Sequence, residues 1–351
     1  MSQPPKGHKV VKNPPIKDVG GLQAAMTEWF SREGRQYPWR ATEDGYEILV
    51  SEIMLQQTQV ATVLGRGYYT RWLELFPDVQ TLAKADEGSV LRAWEGLGYY
   101  SRARNLQKAA RHIVEEHGGV FPRSLPQIEA LPGVGRYTAG AVASFAFNAA
   151  EAAVDANIAR VLARLFDFRE RIDTAYARKQ LLAWAGSLVP DSGGRIWNSA
   201  LMELGQHVCK SGSVSCHQCP AASWCRAAEP LLLPIKKKRK AQIAVEEHVV
   251  LAFRRNSLLL EQETGRRRQG LWKLPERAME EIPDGAPVCK QEYTITRYRV
   301  TMFIHELKDV IARENERWFR LEEITRLPMP SPYRRAVDGY LSRQGKAIES
   351  Q

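Results

Sequence analysis

Four of the five cysteines in this 351-residue chain fall within seventeen positions: Cys209, Cys216, Cys219 and Cys225, in the spacing C-x6-C-x2-C-x5-C. Five thiols in a chain of this length do not make a disulfide framework, and so tight a group reads as a metal site in a reducing compartment. Four thiolates suit either tetrahedral zinc or a cubane iron–sulfur cluster. The x2 pair can put two ligands on a tight loop, while the longer spacings wrap the chain around a bulkier object. Zinc sites more often bring two x2 pairs, so the asymmetry favours iron and sulfur. Cys289 stands alone and is expected to be a free thiol.

The length suggests two domains with real cores. Lysine and arginine number 50 against 40 aspartates and glutamates. That excess favours a polyanionic partner, nucleic acid before membrane, because neutralised phosphates release counterions. No apolar run approaches the length of a bilayer span. MSQPPKGHKVVKNPP at the N-terminus lacks the apolar core of a secretory signal. The expectation is a cytoplasmic protein, nucleoid-associated if bacterial, without membrane contact and monomeric.

Residues 1–20 read as a disordered basic tail. From Leu22, with Ala25, Met26, Trp29 and Phe30 on one face, the period is helical. Helical segments follow at Tyr46–Leu64, Gly67–Leu75, Glu87–Gly96, Ser101–His117, Ser124–Leu131, Arg136–Asn148, Ala156–Phe166, Tyr176–Leu188 and Ile196–Cys209, with Gly or Pro at almost every junction. Residues 21–226 therefore read as an all-α domain. LLLPIKKKRKAQ lies in a linker assigned to residues 227–243, its basic run being either solvated or a DNA contact. Residues 244–345 read as a small α+β domain, with strands at His248–Phe253, Ser257–Glu261, Tyr293–Glu306 and Glu316–Phe319 and a closing helix Tyr333–Gln344.

Three motifs carry chemistry. Leu131-Pro132-Gly133-Val134-Gly135 joins two helical segments. Its glycines let the backbone turn sharply and aim N–H groups at a phosphate from a helix N-terminus. Taken alone, the same residues make an ordinary helix–helix turn. Glu52 sits in YEILVSEIMLQQTQVATVL with Ile48, Leu49 and Leu55 at helical neighbour positions. Desolvation there favours the neutral carboxyl and suits a general acid. Asp155 precedes the helical run ANIARVLAR and is a good N-cap, which fixes a carboxylate in place whatever else it does.

Together these strings resemble a known family. The cysteine spacing is that of the cluster loop in endonuclease-III-like DNA glycosylases. LPGVG, placed after one helix and before that loop, looks like their helix-hairpin-helix motif. SEIMLQQTQV closely resembles the active-site helix of MutY-type adenine glycosylases. The resemblance implies one [4Fe-4S] cluster, Glu52 as general acid and Asp155 as the carboxylate facing the sugar C1′. Asn157 matches a pocket asparagine that holds Asp155 or water. Tyr137 stands where bifunctional members carry the lysine that forms an imine, which moves the assignment from endonuclease III to a monofunctional enzyme. Pro38-Trp39-Arg40 resembles the segment lining the adenine pocket. Leu55, Gln57 and Tyr99, the last in GLGYYSRARNL, are assigned to DNA, with Gln57 and Tyr99 entering the helix around the opposing base. Gly133, Val134 and Gly135 would grip phosphate.

GLWKLP and PSPYRRAVDGYL resemble the C-terminal domain of the same family, which has a Nudix-hydrolase-like fold. ERAMEEIPDG does not supply a Nudix metal-binding box, so a recognition role is expected. Where many members carry Phe-Ser-His, this chain has Ile295-Thr296-Arg297, which assigns lesion reading to Thr296 and Arg297. The resemblance thus implies an all-α helix-hairpin-helix glycosylase domain with an iron–sulfur loop plus a Nudix-like α+β domain. The implied reaction is removal of adenine from duplex DNA opposite 8-oxoguanine or guanine. The alternative is an endonuclease-III-like glycosylase/lyase for damaged pyrimidines.

Overall fold

The computed structural model describes residues 9–238, 241–265, 267–282, 285–343 and 345. Its first helices are α1 (Val19–Glu33), α2 (Gly45–Leu55), α3 (Val60–Gly65), α4 (Tyr68–Leu75), α5 (Val79–Lys84), α6 (Glu87–Ala93) and α7 (Ser101–His117). Then come α8 (Leu125–Glu129), α9 (Arg136–Phe147), α10 (Ala156–Leu165), α11 (Ala175–Leu188) and α12 (Gly194–His207). The remaining part holds β1 (Ile243–Arg254), β2 (Ser257–Gln262), β3 (Trp272–Lys273), β4 (Cys289–Ile295), β5 (Tyr298–Leu307), β6 (Glu316–Arg320), α13 (Leu321–Ile324) and α14 (Ser331–Arg343). Among the described residues no helix is long and apolar enough to cross a membrane.

Packing divides the chain into two compact units, each discontinuous in sequence: residues 1–56 with 112–238, and residues 57–111 with 239–351.

In the first unit, aspartates start the helices that matter. The Asp18 side chain accepts from the Gly21 amide, Asp44 from those of Tyr46 and Glu47, and Asp155 from that of Ile158. Such caps satisfy amides that the helix itself leaves bare. Leu22, Met26 and Trp29 of α1 join Trp197, Leu201 and Leu204 of α12 in the core. The side chains of α9 are small where neighbours press close. A Cβ on Gly140 would stand 2.5 Å from the Ala152 carbonyl oxygen. Residues 1–8 of the expected tail lie outside the described residues. At Val11 the chain is held by Gln180 of α11, which accepts from its amide at 2.8 Å and donates to its carbonyl at 2.6 Å.

In the second unit, Trp72 packs edge-on against both Phe76 and Trp94. Its sheet runs β3-β2-β1-β5-β4, with β6 paired to β2. The β1–β5 pair is parallel and the other ladders are antiparallel. Val249, Leu251, Met302 and Ile304 form one core with Tyr333, Ala336, Val337 and Tyr340 of α14. Arg277 and Glu316, both buried, close a two-pronged ion pair at 2.5 and 2.8 Å.

Two expected elements are corrected. The single helix Tyr46–Leu64 is two: α2 stops at Leu55, Gln57 takes φ +57°, and α3 restarts at Val60. Gln56 instead sends its amide to the Thr138 hydroxyl at 3.4 Å, a tertiary contact that apolar periodicity cannot show. The single strand Tyr293–Glu306 is a hairpin, with Ile295 opposite Tyr298 and a two-residue turn at Thr296-Arg297. Thr296 has φ +53° where glycine or asparagine would mark such a turn, so the alternation ran on unbroken. Helix α5 and strand β3 were not anticipated, and β1 begins inside the expected linker.

Candidate active site

Four side chains assigned separately from the sequence meet in the first unit. Glu52, on the last turns of α2, is 6 % exposed. It accepts a hydrogen bond from the phenol of Tyr137, in the first turn of α9, at 2.8 Å. Burial pushes the Glu52 carboxyl up to about 7, against the lowering pull of that bond, and the Asp155 charge pushes the same way as burial. A carboxyl raised this far can hold a proton much nearer neutral pH than an exposed glutamate can, which is what general-acid chemistry needs. Burial, with the Glu52 and Asp155 charges, holds the Tyr137 phenol well above its usual range.

Asp155 is the N-cap of α10 and is also hydrogen-bonded to the Asn157 side chain. One oxygen accepts from the Ile158 amide at 2.7 Å and the other from the Asn157 amide group at 2.8 Å. Burial raises its pKa and these bonds oppose the rise. Asn157 is held in turn by Arg160, which donates to its side-chain oxygen at 3.0 Å and to the Gly205 carbonyl at 2.6 Å. The backbones pack so closely here that a Cβ on Gly205 would lie 2.8 Å from that of Asn157.

The cysteine loop is reached through the same arginine. Arg160 Nε donates to the Cys209 carbonyl at 2.9 Å, and Arg164 donates to the Cys209 sulfur at 3.1 Å. Burial lifts the Cys219 thiol to about 11, and Cys209, Cys225 and Cys216 each add to the rise. Among the described residues no three His, Cys, Asp or Glu side chains stand close enough to hold one metal ion. The hairpin connects α8 to α9, with Gly133 at φ +78° and Gly135 as an N-cap that offers no side chain to the first amides of α9. Both glycines are exposed and Val134 is buried, so only backbone is presented.

A model of the HhH-GPD superfamily of base excision DNA repair proteins matches residues 50–186. The adenine DNA glycosylase of Buchnera aphidicola subsp. Baizongia pistaciae is 36% identical over 253 residues, covering 71% of this chain and 70% of that protein. The chain belongs to the adenine DNA glycosylase family. The human adenine DNA glycosylase is 44% identical over 223 residues, which are 61% of this chain and 40% of the human protein. The match therefore spans about two-fifths of the human family member. Among solved structures, a thermostable thymine-DNA glycosylase is similar with TM-score 0.52 at 28% identity, covering 59% of this chain and 95% of that one. An endonuclease III–DNA complex, TM-score 0.50 at 24% identity over 60% of this chain and 96% of that one, shares the fold.

For this adenine DNA glycosylase family member, the other assigned residues fall in two groups. In the first unit, Trp39 is buried and stacks on Tyr37 at 5.4 Å. Arg40 is engaged by Glu203 of α12 at 2.8 Å and donates to the Arg35 carbonyl at 2.5 Å. Leu55 is half-buried at the end of α2. Glu203, 1 % exposed and within 3.7 Å of Arg35 as well, was passed over in the sequence, as were Arg160 and Arg164. All three sit in helices where a charge reads as a solvated face.

The second unit carries Gln57, Tyr99, Thr296 and Arg297, all exposed. Gln57 and Tyr99 both have left-handed backbones, at φ +57° and +48°, a strain that clusters at functional positions. Arg102, buried, donates to the hydroxyl of Thr58, next to Gln57, at 3.5 Å and lies over the Tyr99 ring at 5.5 Å. Arg297 lies over the Tyr298 ring at 5.3 Å. Ile295 and Tyr298, which flank the turn, also line a cavity of about 470 Å3 together with Tyr293, Glu247 and Arg268.

Proposed function

We propose that this chain is a monofunctional DNA glycosylase that hydrolyses the N-glycosidic bond of adenine paired with 8-oxoguanine or guanine. The observation that carries the reading is a buried Glu52 carboxyl that accepts from the Tyr137 phenol, its pKa raised by burial and by the Asp155 charge. Adenine must leave the base stack to be reached, at a cost of about a few kcal/mol. Protonated Glu52 gives its proton to N7 of the base. The C1′–N9 bond then breaks, its electron pair leaves with adenine, and the Asp155 carboxylate stabilises the cationic sugar. Water adds to C1′ and its proton returns to Glu52. Asn157 and Arg160 hold Asp155 in position, and Trp39, stacked on Tyr37, forms a wall for the base. Tyr137 has no amine for an imine, so no strand cleavage by lyase chemistry follows.

The C-x6-C-x2-C-x5-C spacing favours a [4Fe-4S] cluster over zinc, and the three neighbouring cysteines that add to the rise of the Cys219 thiol support one shared site. Cys209, Cys216, Cys219 and Cys225 would hold it, and bound there it would fix the loop on which Arg160 and Arg164 lean. The exposed backbone of Gly133 and Gly135 supports contact with phosphate. The sheet domain, Nudix-like in this reading, would sense 8-oxoguanine through Thr296 and Arg297. A DNA substrate supports the expectation of a cytoplasmic protein, nucleoid-associated if its source is bacterial.

The deciding assay offers duplexes with adenine opposite 8-oxoguanine, and duplexes with thymine glycol, followed by gels with and without alkali. Cutting of the adenine strand only after alkali is expected. Borohydride trapping of an essential imine, or preference for thymine glycol, would overturn the proposal.

A further inference from the structure

The loop that carries Tyr99 is fastened at both ends to the sheet-bearing part of its own unit. Glu95, four residues earlier, accepts from Arg334 Nε at 2.9 Å and from the Met329 amide at 3.3 Å, and pairs with Arg92 at 2.8 Å. Tyr100, directly after Tyr99 and buried, donates its phenol proton to the Met329 carbonyl at 3.2 Å. Arg334 is itself fixed, donating to the carbonyls of Ile324 at 2.9 Å and Leu327 at 2.7 Å.

Between these fastenings Arg102 donates to the Leu97 and Gly98 carbonyls at 2.9 and 3.2 Å and Trp94 to the Gly98 carbonyl at 3.0 Å, so the turn takes its shape from side chains outside it. Gly96, Gly98 and Tyr99 are all left-handed, at φ +97°, +69° and +48°. Tyr99 is 47 % exposed. Glycines lose more conformational freedom on ordering than other residues, so this shape has to be imposed from outside the loop. The contacts also lead onward. Tyr333, next to Arg334, and Tyr293 of β4 both donate to Glu247, and β4 ends at the Thr296-Arg297 turn.

We infer that Glu95, Tyr100 and Arg334 are positioning residues that hold Tyr99 in its DNA-entering conformation, so that the sheet part of the unit sets the wedge. The inference rests on the reading of Tyr99 as a wedge. The Glu95–Arg334 pair is about nine-tenths buried, and removing one partner leaves the other charge uncompensated. Tyr100→Phe is the gentler probe, since it deletes one hydroxyl and keeps the ring.

The experiment is a double-mutant cycle on the full-length protein. Glu95→Gln, Tyr100→Phe and Tyr99→Ala are made singly, and each of the first two is combined with Tyr99→Ala. Single-turnover adenine release is measured on duplexes with adenine opposite 8-oxoguanine. Fluorescence of 2-aminopurine beside the opposing base reports helix opening. Glu95→Gln should lower both readouts about tenfold and Tyr100→Phe about threefold, and neither should add to the loss in the Tyr99→Ala background. Losses that multiply with Tyr99→Ala would mean that Glu95 and Tyr100 act elsewhere and would overturn the positioning role alone. If Tyr99→Ala changes neither readout, the wedge reading fails and the inference falls with it. If Glu95→Gln does not fold, Tyr100→Phe decides by the same criteria.

Discussion

Tyr137 reaches Glu52 across 85 positions of sequence and donates to it at 2.8 Å, bringing the first turn of α9 onto the last turns of α2. That bond lowers the Glu52 pKa while burial raises it to about 7. Adenine release should therefore decline as pH rises through about 7, because the proton donor is lost. Tyr137→Phe removes the lowering influence, so the descending limb should move to higher pH. Glu52→Gln should abolish release and keep duplex binding. A pH–rate profile of the three proteins under single-turnover conditions checks this, and an unmoved limb in Tyr137→Phe would count against Glu52 as the acid.

The same burial bears on stability. The carboxyl at position 52 is raised above its unfolded value, so the folded state binds its proton more tightly. The contribution is present below the unfolded pKa and is lost as pH rises towards the folded one. Near pH 8 Glu52→Gln should then be the more stable protein, by as much as about 3 kcal/mol. Urea melts at pH 5 and pH 8 test it, and a Gln variant no more stable at either pH would contradict the shift.

Much of this site was legible because local chemistry repeats locally. Helix α7 lies where the apolar period put it, and Asp155 caps α10 as its place before the run suggested. Glu52 stood out as a charge among apolar helical neighbours. What was not legible depends on distant partners. The break after Leu55 comes with a Gln56 contact to distant Thr138, and Arg160 gains its importance only when Asn157, Gly205 and Cys209 surround it. The turn at Thr296-Arg297 lacks the residues that advertise turns.

Gly205 and Arg160 together hold Asn157 against Asp155. A methyl at Gly205 would meet the Asn157 Cβ at 2.8 Å, closer than such carbons sit, so Gly205→Ala must displace one helix. Such overpacking costs about 1–3 kcal/mol. Arg160→Met should keep the bulk and lose the bonds. Both should slow adenine release more than tenfold with little change in duplex affinity. Equal losses in affinity and rate would point to a disturbed DNA surface instead.

Purified anaerobically, the protein should be brown and contain about four irons per chain, as a cubane held by four cysteines requires. Cys219→Ser should lose the iron and melt at lower temperature. A colourless, folded preparation with stoichiometric zinc would refute the assignment.

In the sheet, His248 and His305 bring ring nitrogens within 3.2 Å. Burial first, and the neighbouring His248 second, hold His305 below the usual imidazole range. A lowered imidazole destabilises the fold as pH falls below the unfolded value of about 6.5, where the unfolded chain takes up the proton first. Thermal melts should show His305→Asn less sensitive between pH 7 and 5 than the parent protein. An identical pH dependence would contradict the lowered His305 imidazole.

Because residues 57–111 and 239–351 share one compact unit, the connection through exposed Lys236–Lys238 is a poor place to take this molecule apart. Trypsin should nick there readily, as exposed lysines outside regular structure invite. The released C-terminal fragment would still grip Glu95 through Arg334 and Met329, and Tyr100 through the Met329 carbonyl. The cut protein should run as two bands on a denaturing gel and elute as a single particle from a sizing column.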